Sequence, residues 1–75
     1  MKPVDLLPAA RRDYDESFDW YACRSLLAAE RFERAVEKAL RQISENPERF
    51  AMVGQVHRGR ALERFPFRLI YRIDP

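Results

Sequence analysis

The side chains best suited to chemistry cluster after Glu48. Six arginines lie there, Arg49, Arg58, Arg60, Arg64, Arg68 and Arg72, opposed by Glu63 and Asp74. The local balance is +4, residues 1–48 carry −2, and the whole chain carries +2. A guanidinium stays charged near neutral pH and grips carboxylate or phosphate through a planar fork of N–H donors. A lysine-free, arginine-rich third therefore points to an anionic partner: a nucleic acid, an acidic protein or an acidic peptide. The competing reading is a solvated sheet face. Trp20 is a further candidate contact, because Trp is enriched at the energetic centres of interfaces. Its competing reading is packing against another segment of the same chain.

Cations alone do not make a nuclease. Transfer through a 2′-hydroxyl needs a base, a cation for the developing phosphorane charge and a proton for the leaving oxygen. Arginine can supply only the second. The candidates for a group that changes protonation are His57, Glu63 and Tyr71. His57 reads as a loop residue, Glu63 as the ion-pair partner of a neighbouring arginine, and Tyr71 as a core residue on an apolar strand face. Cys23 falls late in a helix, away from the positive N-terminal end that lowers a thiol pKa, and reads as structural. Asp13, Asp15, Glu16 and Asp19 point around more than one helix face, so they read as solvated surface. One Cys and one His cannot complete a tetrahedral zinc site. No metal and no cofactor is expected.

These residues sit in a chain of 75, a length that fits one small domain spanning residues 1–75. At 47% hydrophobic and 35% charged, the composition is globular with a charge-rich surface. No unbroken apolar run is longer than Leu26 to Ala29, far short of the roughly 20 residues that cross a bilayer. The first residues pass to Arg11-Arg12-Asp13 without an apolar signal region, so a cytoplasmic location and no membrane partner are expected.

The positioning elements follow from pattern. Pro3–Leu7 reads as a strand, and Pro8 as the first residue of a helix, where its missing N–H has no intrahelical partner to lose. Leu7 offers that helix no side-chain cap. The helix runs to about Arg24, with Ala10, Tyr14, Phe18, Tyr21 and Ala22 in one stripe. Trp20 lies about 160° from Phe18, off that stripe. Ser25 is placed to cap a second helix from Leu26 to about Glu45. Ala28, Phe32, Ala35, Val36, Ala39, Leu40 and Ile43 share an apolar band about 140° wide on it. Glu30–Arg34 and Glu37–Arg41 have the favourable acid-first i, i+4 order. Alanines 10, 22, 28, 35 and 39 allow close helix packing. Asn46-Pro47 stops the helix, since Pro47 disfavours helical backbone at Asn46.

Beyond Pro47 the period shifts towards 2. A strand over about Val56–Phe65, a turn at Pro66 and a final strand are expected. In the last of these, Phe67, Leu69, Tyr71 and Ile73 face one way, and Arg68, Ile70, Arg72 and Asp74 the other. The fold class is α+β: strand–helix–helix–strand–strand, with a helical hairpin on one face of a small, mainly antiparallel sheet. If Arg58, Arg60 and Arg64 meet Arg68 and Arg72 on the uncovered face, five guanidiniums form one basic platform.

The chain resembles toxins of the bacterial type II RelE/ParE superfamily, also known as plasmid stabilisation proteins. The matching stretches are Asp19-Trp20-Tyr21, Ala29-Glu30-Arg31-Phe32, Ile43 to Phe50 (ISENPERF), and Arg64 to Ile73 (RFPFRLIYRI). They span nearly the whole chain in the family's order. The resemblance implies a small growth inhibitor held inactive by a cognate antitoxin whose C-terminal segment wraps it. The ParE branch poisons DNA gyrase by binding; the RelE branch cuts mRNA in the ribosomal A site. Typical relatives continue past the Tyr-Arg-Ile stretch into another strand and a tail. In the RelE branch that tail carries basic, His or Tyr residues used in cleavage. This chain stops at Asp74-Pro75. One role carries over: Arg68 aligns with a basic residue that RelE-like nucleases place on the RNA phosphate. The resemblance implies first a ParE-like binder of gyrase. The alternatives are a RelE-like endoribonuclease acting on ribosome-bound mRNA, and a shortened inactive relative that keeps only antitoxin binding. An open sheet edge would also admit an antitoxin segment or a second copy of the chain.

Overall fold

The computed structural model describes residues 4–73. Pro3 of the expected first strand and Asp74 of the last lie outside the described residues. The order is β1 (Val4–Leu6), α1 (Pro8–Arg24), α2 (Leu26–Glu45), a 3-10 turn (Pro47–Arg49), β2 (Met52–Val53), β3 (His57–Ala61) and β4 (Arg68–Ile73). The strands form one antiparallel sheet in the order β1-β4-β3-β2. This is the expected α+β class, and the helical hairpin packs on one face.

The helix ends sit where local chemistry puts them. Leu7 stands at the N-cap of α1 without a side-chain hydrogen bond, and Pro8 opens the helix. The Ser25 backbone N–H closes α1 on the Tyr21 carbonyl at 2.8 Å. The Ser25 hydroxyl oxygen then accepts from the Ala28 N–H at 3.2 Å, so one residue ends α1 and caps α2. Asn46 leaves the helix with extended φ, and Pro47 begins the 3-10 turn.

The core lies between α2 and β4. Phe32, Val36, Ala39 and Ile43 from α2 meet Leu69 and Tyr71 from β4, with Leu62 beside them. Phe32 is the hub: its ring centroid lies 5.6 Å from Tyr14, 5.2 Å from Tyr21, 5.4 Å from Phe65 and 5.3 Å from Phe67. It thereby joins both helices to the segment entering β4. The Tyr71 hydroxyl donates to the Pro47 carbonyl, fastening the sheet to the end of α2. Burial raises the Tyr71 pKa above its ordinary value, and the nearby Arg58 charge opposes this. Tyr14 is also raised, first by burial and then by Glu33, Glu37 and Asp15 around it.

Four details differ from expectation. The third strand ends at Ala61 rather than Phe65. Leu62 N–H still bonds the Phe67 carbonyl at 3.0 Å, but Phe65 leaves the strand path to stack edge-on against Tyr21 and Phe32. Burial of an aromatic ring outweighs strand alternation there. Second, a two-residue strand, Met52–Val53, precedes it, joined by a turn in which Gly54 has φ of 80°. Third, Ala22 is exposed, whereas Ala29, outside the expected alanine set, is fully buried. Fourth, among the described residues the Glu30–Arg34 and Glu37–Arg41 pairs stay open. Such exposed pairs are worth about 0.3–0.5 kcal/mol, little against side-chain freedom.

Candidate functional site

The sheet register decides what the arginines can do. Arg58 pairs with Tyr71 and Arg60 with Leu69, while Ala61 pairs with Arg68 and Asp5 with Arg72. Directly opposed residues of an antiparallel pair point to the same side. Arg58 and Arg60 therefore share the helix-covered face with Tyr71 and Leu69. Arg68 and Arg72 occupy the uncovered face. The expected five-arginine platform does not form, because the hairpin places the two sets in opposite parity.

Arg58 and Arg60 brace the helix side. Arg58 donates from one NH group to the carbonyls of Glu48 at 3.1 Å and Phe50 at 2.8 Å, pinning the segment that follows α2. Arg60 donates through Nε and NH2 to the Gln42 side-chain oxygen, both at 3.2 Å, and also bonds the Ala61 carbonyl. Its guanidinium lies 5.3 Å from the Phe50 ring centroid and 4.0 Å from Glu63.

On the uncovered face Arg68 lies flat across Gly59. A Cβ at Gly59 would fall 2.7 Å from Arg68 Cδ, 2.9 Å from Val53 Cγ2 and 3.2 Å from Ile70 Cδ1. Only glycine leaves room for that crossing. Arg72 lies 4.0 Å from Asp5 across the β1–β4 ladder. His57 pairs with Val53, and its strand position shares this face. It is four residues along β3 from Ala61, the partner of Arg68, so about 14 Å separates the two positions along the sheet. The three candidate proton-transferring groups are thus dispersed. His57 is on the open face, Tyr71 is buried beneath the helices with its hydroxyl committed to Pro47, and Glu63 stands on a loop beside Arg60.

A second surface lies on the other side of the molecule. An open groove of about 510 Å³ runs between α2 and the loop after β3. Arg31, Arg34 and Lys38 line it from α2, and Arg60, Glu63 and Arg64 from the opposite wall. Leu27, Ala28, Ala35 and Ala39 face Leu62 and Phe65 across it. The α2 cations lie outside the C-terminal arginine cluster that stands out in the sequence. Their signal was present: positions 31, 34 and 38 follow the i, i+3, i+7 rule for one helix face. Arg64 belongs to this groove, apart from both sheet sets.

Trp20 is 52% exposed in the last two turns of α1, and Leu26 and Leu27 at the start of α2 are exposed as well. The Arg24 guanidinium sits 3.6 Å from its ring centroid and donates to the Trp20 carbonyl at 3.0 Å. Tyr21 meets the indole edge-on at 5.0 Å. The ring is held in one orientation yet remains open to contact, and with Tyr21, Phe32, Pro66 and Phe67 it borders a slot of about 320 Å³. Cys23 is exposed and free. Among the described residues, no helix is long and apolar enough to cross a membrane.

A helical hairpin on a four-stranded antiparallel sheet, with cations on both outer surfaces, has the architecture of a small toxin of the RelE/ParE type. The family model described as "ParE toxin of type II toxin-antitoxin system, parDE" matches residues 4–75. The chain belongs to that family, and membership implies an antitoxin partner. Comparison with curated proteins and with solved structures gives no match.

Proposed function

We propose that the chain is a growth inhibitor of the ParE kind. It acts by binding a target, with DNA gyrase the target the family points to, and a cognate antitoxin neutralises it in the cytoplasm. The observation that carries this reading is the dispersal of His57, Glu63 and Tyr71 over three surroundings, with Tyr71 already bonded to Pro47. A binding mechanism needs no acid–base pair, whereas RNA cleavage needs two proton-transferring groups around one phosphate. The contact residues on this reading are Arg68 and Arg72 on the open face, Arg64 in the groove and Trp20 at the hairpin end. Arg58 and Arg60 act mainly by holding the fold around them.

Arg68 favours a second reading. Its guanidinium stands on the uncovered face, where it could serve as the phosphate-stabilising cation of a RelE-like endoribonuclease. A third reading keeps only antitoxin binding. The outer strands β1 and β2 also admit strand addition, by an antitoxin segment or by a second copy in a homodimer.

Controlled expression in bacteria without the antitoxin separates these readings. Growth arrest with relaxed or linearised plasmid and intact mRNA supports the binding mechanism. Codon-phased mRNA cuts that vanish in Arg68→Ala replace it with the nuclease. Unchanged growth with retained antitoxin binding selects the third reading.

A further inference from the structure

We propose that the slot beside Trp20 is a binding site for a small quaternary ammonium compound of the choline type. The inference is independent of how growth is inhibited, since it concerns α1 and the loop entering β4 rather than the arginines of the sheet. Four rings build the slot. Tyr21 stands edge-on to Trp20 at 5.0 Å and 86°, and it meets Phe32 at 5.2 Å. Phe67 stands edge-on to Phe32 at 5.3 Å and 86°, and Pro66 adds a further apolar wall. Rings set at right angles turn their electron-rich faces in more than one direction around a space of about 320 Å³. Among the described residues, Glu16 is the one charged member of the lining, and it is exposed.

Both features select a cation. An aromatic face attracts positive charge through its quadrupole, and a carboxylate at the rim has the matching sign. The molecule already makes this pairing once, with the Arg24 guanidinium 3.6 Å from the Trp20 centroid. Arg24 is one turn after Trp20 and outside the lining, whereas Glu16 and Ser17 are one turn before it and inside. The resident guanidinium therefore leaves the slot side of the indole open. Hydrogen bonding then decides the kind of cation. A primary ammonium carries three N–H donors and a guanidinium five. Among rings those donors lose water and gain no comparable acceptor. A trimethylammonium group has no N–H to leave unsatisfied, and its methyl groups pack on ring faces while carrying the charge. A carboxylate on the ligand would meet Glu16, so a plain cation fits better than a zwitterion.

The test uses the full chain, whose single tryptophan lies in the site and reports occupancy directly. Choline is titrated at constant ionic strength while Trp20 emission and amide chemical shifts are followed. Comparators are its neutral carbon isostere, in which a tert-butyl group replaces the trimethylammonium, ethanolamine as the primary ammonium, and betaine as the zwitterion. Phosphatidylcholine vesicles present the same headgroup on a lipid surface. The proposal expects saturable choline binding, with shifts confined to α1 around Trp20, to Phe32 and to the Pro66-Phe67 loop. Choline should bind roughly fivefold or more tighter than each soluble comparator. Trp20→Leu keeps apolar bulk but loses the indole face, and should weaken binding roughly tenfold, read by chemical shift. Glu16→Gln should weaken it a few-fold. Both side chains are exposed, so both melting curves should stay nearly intact, and if Trp20→Leu melts early Glu16→Gln carries the comparison. Any of four results overturns the proposal: no saturable choline binding, equal or tighter binding of a soluble comparator, shifts centred elsewhere, or unchanged affinity in the variants. Binding to vesicles without binding of free choline would also overturn it, in favour of a lipid surface.

Discussion

Arg58→Ala should cost far more stability than Arg68→Ala, although both delete one arginine from one hairpin. The Arg58 guanidinium makes two hydrogen bonds to main-chain carbonyls, at 2.8 Å to Phe50 and at 3.1 Å to Glu48. A hydrogen bond from a charged donor contributes about 1.5–3 kcal/mol when shielded and less when exposed. The Phe50 bond is partly buried and the Glu48 bond exposed. A total near 2 kcal/mol follows, roughly the shielded bond plus a small addition. In a domain of this size each kcal/mol moves Tm by about 4–8 °C, so Arg58→Ala should melt roughly 8–16 °C lower. Arg68 stands on the open face with an exposed side chain, and its removal should stay within about 0.5 kcal/mol, or less than about 4 °C. Thermal melts followed by far-UV circular dichroism, at one pH and one salt concentration, make the comparison. Equal shifts, or a larger loss in Arg68→Ala, would refute the division of the arginines between the two sheet faces.

Four further outcomes follow from the same packing. Tyr71→Phe leaves the Pro47 carbonyl without its donor and should cost about 1–3 kcal/mol, read by urea denaturation at neutral pH. The raised Tyr71 pKa also has a pH signature. The unfolded chain loses this proton first, above its ordinary value near 10, so the contribution is complete below pH 10 and declines as pH rises through the higher folded value. Alkaline titration of stability should therefore be flatter in Tyr71→Phe than in the parent, with Tyr14 supplying the remaining slope. Phe32→Ala removes the hub of the aromatic cluster at a cost of about 3–5 kcal/mol, comparable with the whole stability of so small a domain, and near-ultraviolet circular dichroism should show its tertiary signal largely lost at 37 °C. Gly59→Ala pushes a methyl group into Arg68 Cδ and Val53 Cγ2 and should cost about 1–2 kcal/mol, whereas Gly59→Ala combined with Val53→Ala should recover part of it.

The helices were legible because their signals are local. Pro8, Ser25 and Asn46-Pro47 mark the ends through backbone chemistry that needs no distant partner. The inward parity of Leu69 and Tyr71 was also readable, since alternation within one strand is a local property. The arginine platform was not. Each strand's own parity was clear, but the relation between β3 and β4 depends on where the hairpin places its first pair. One residue of slip moves every side chain to the other face. Phe65 set that point by leaving β3 for Phe32 and Tyr21, a tertiary contact with no local signature. The two-residue β2 was equally hidden, being defined by its pairing with His57 and Arg58. The groove was half visible: its α2 cations shared a helix face, but the Leu62 and Phe65 wall exists only once the loop folds back.

The most direct test of the proposed mechanism is a gyrase supercoiling titration with the purified chain, with and without its antitoxin. Supercoiling that falls as the chain is added and returns when antitoxin is supplied in equal amount is the predicted result. Unimpaired supercoiling at saturating chain, alongside cut messenger RNA on purified ribosomes, would contradict it.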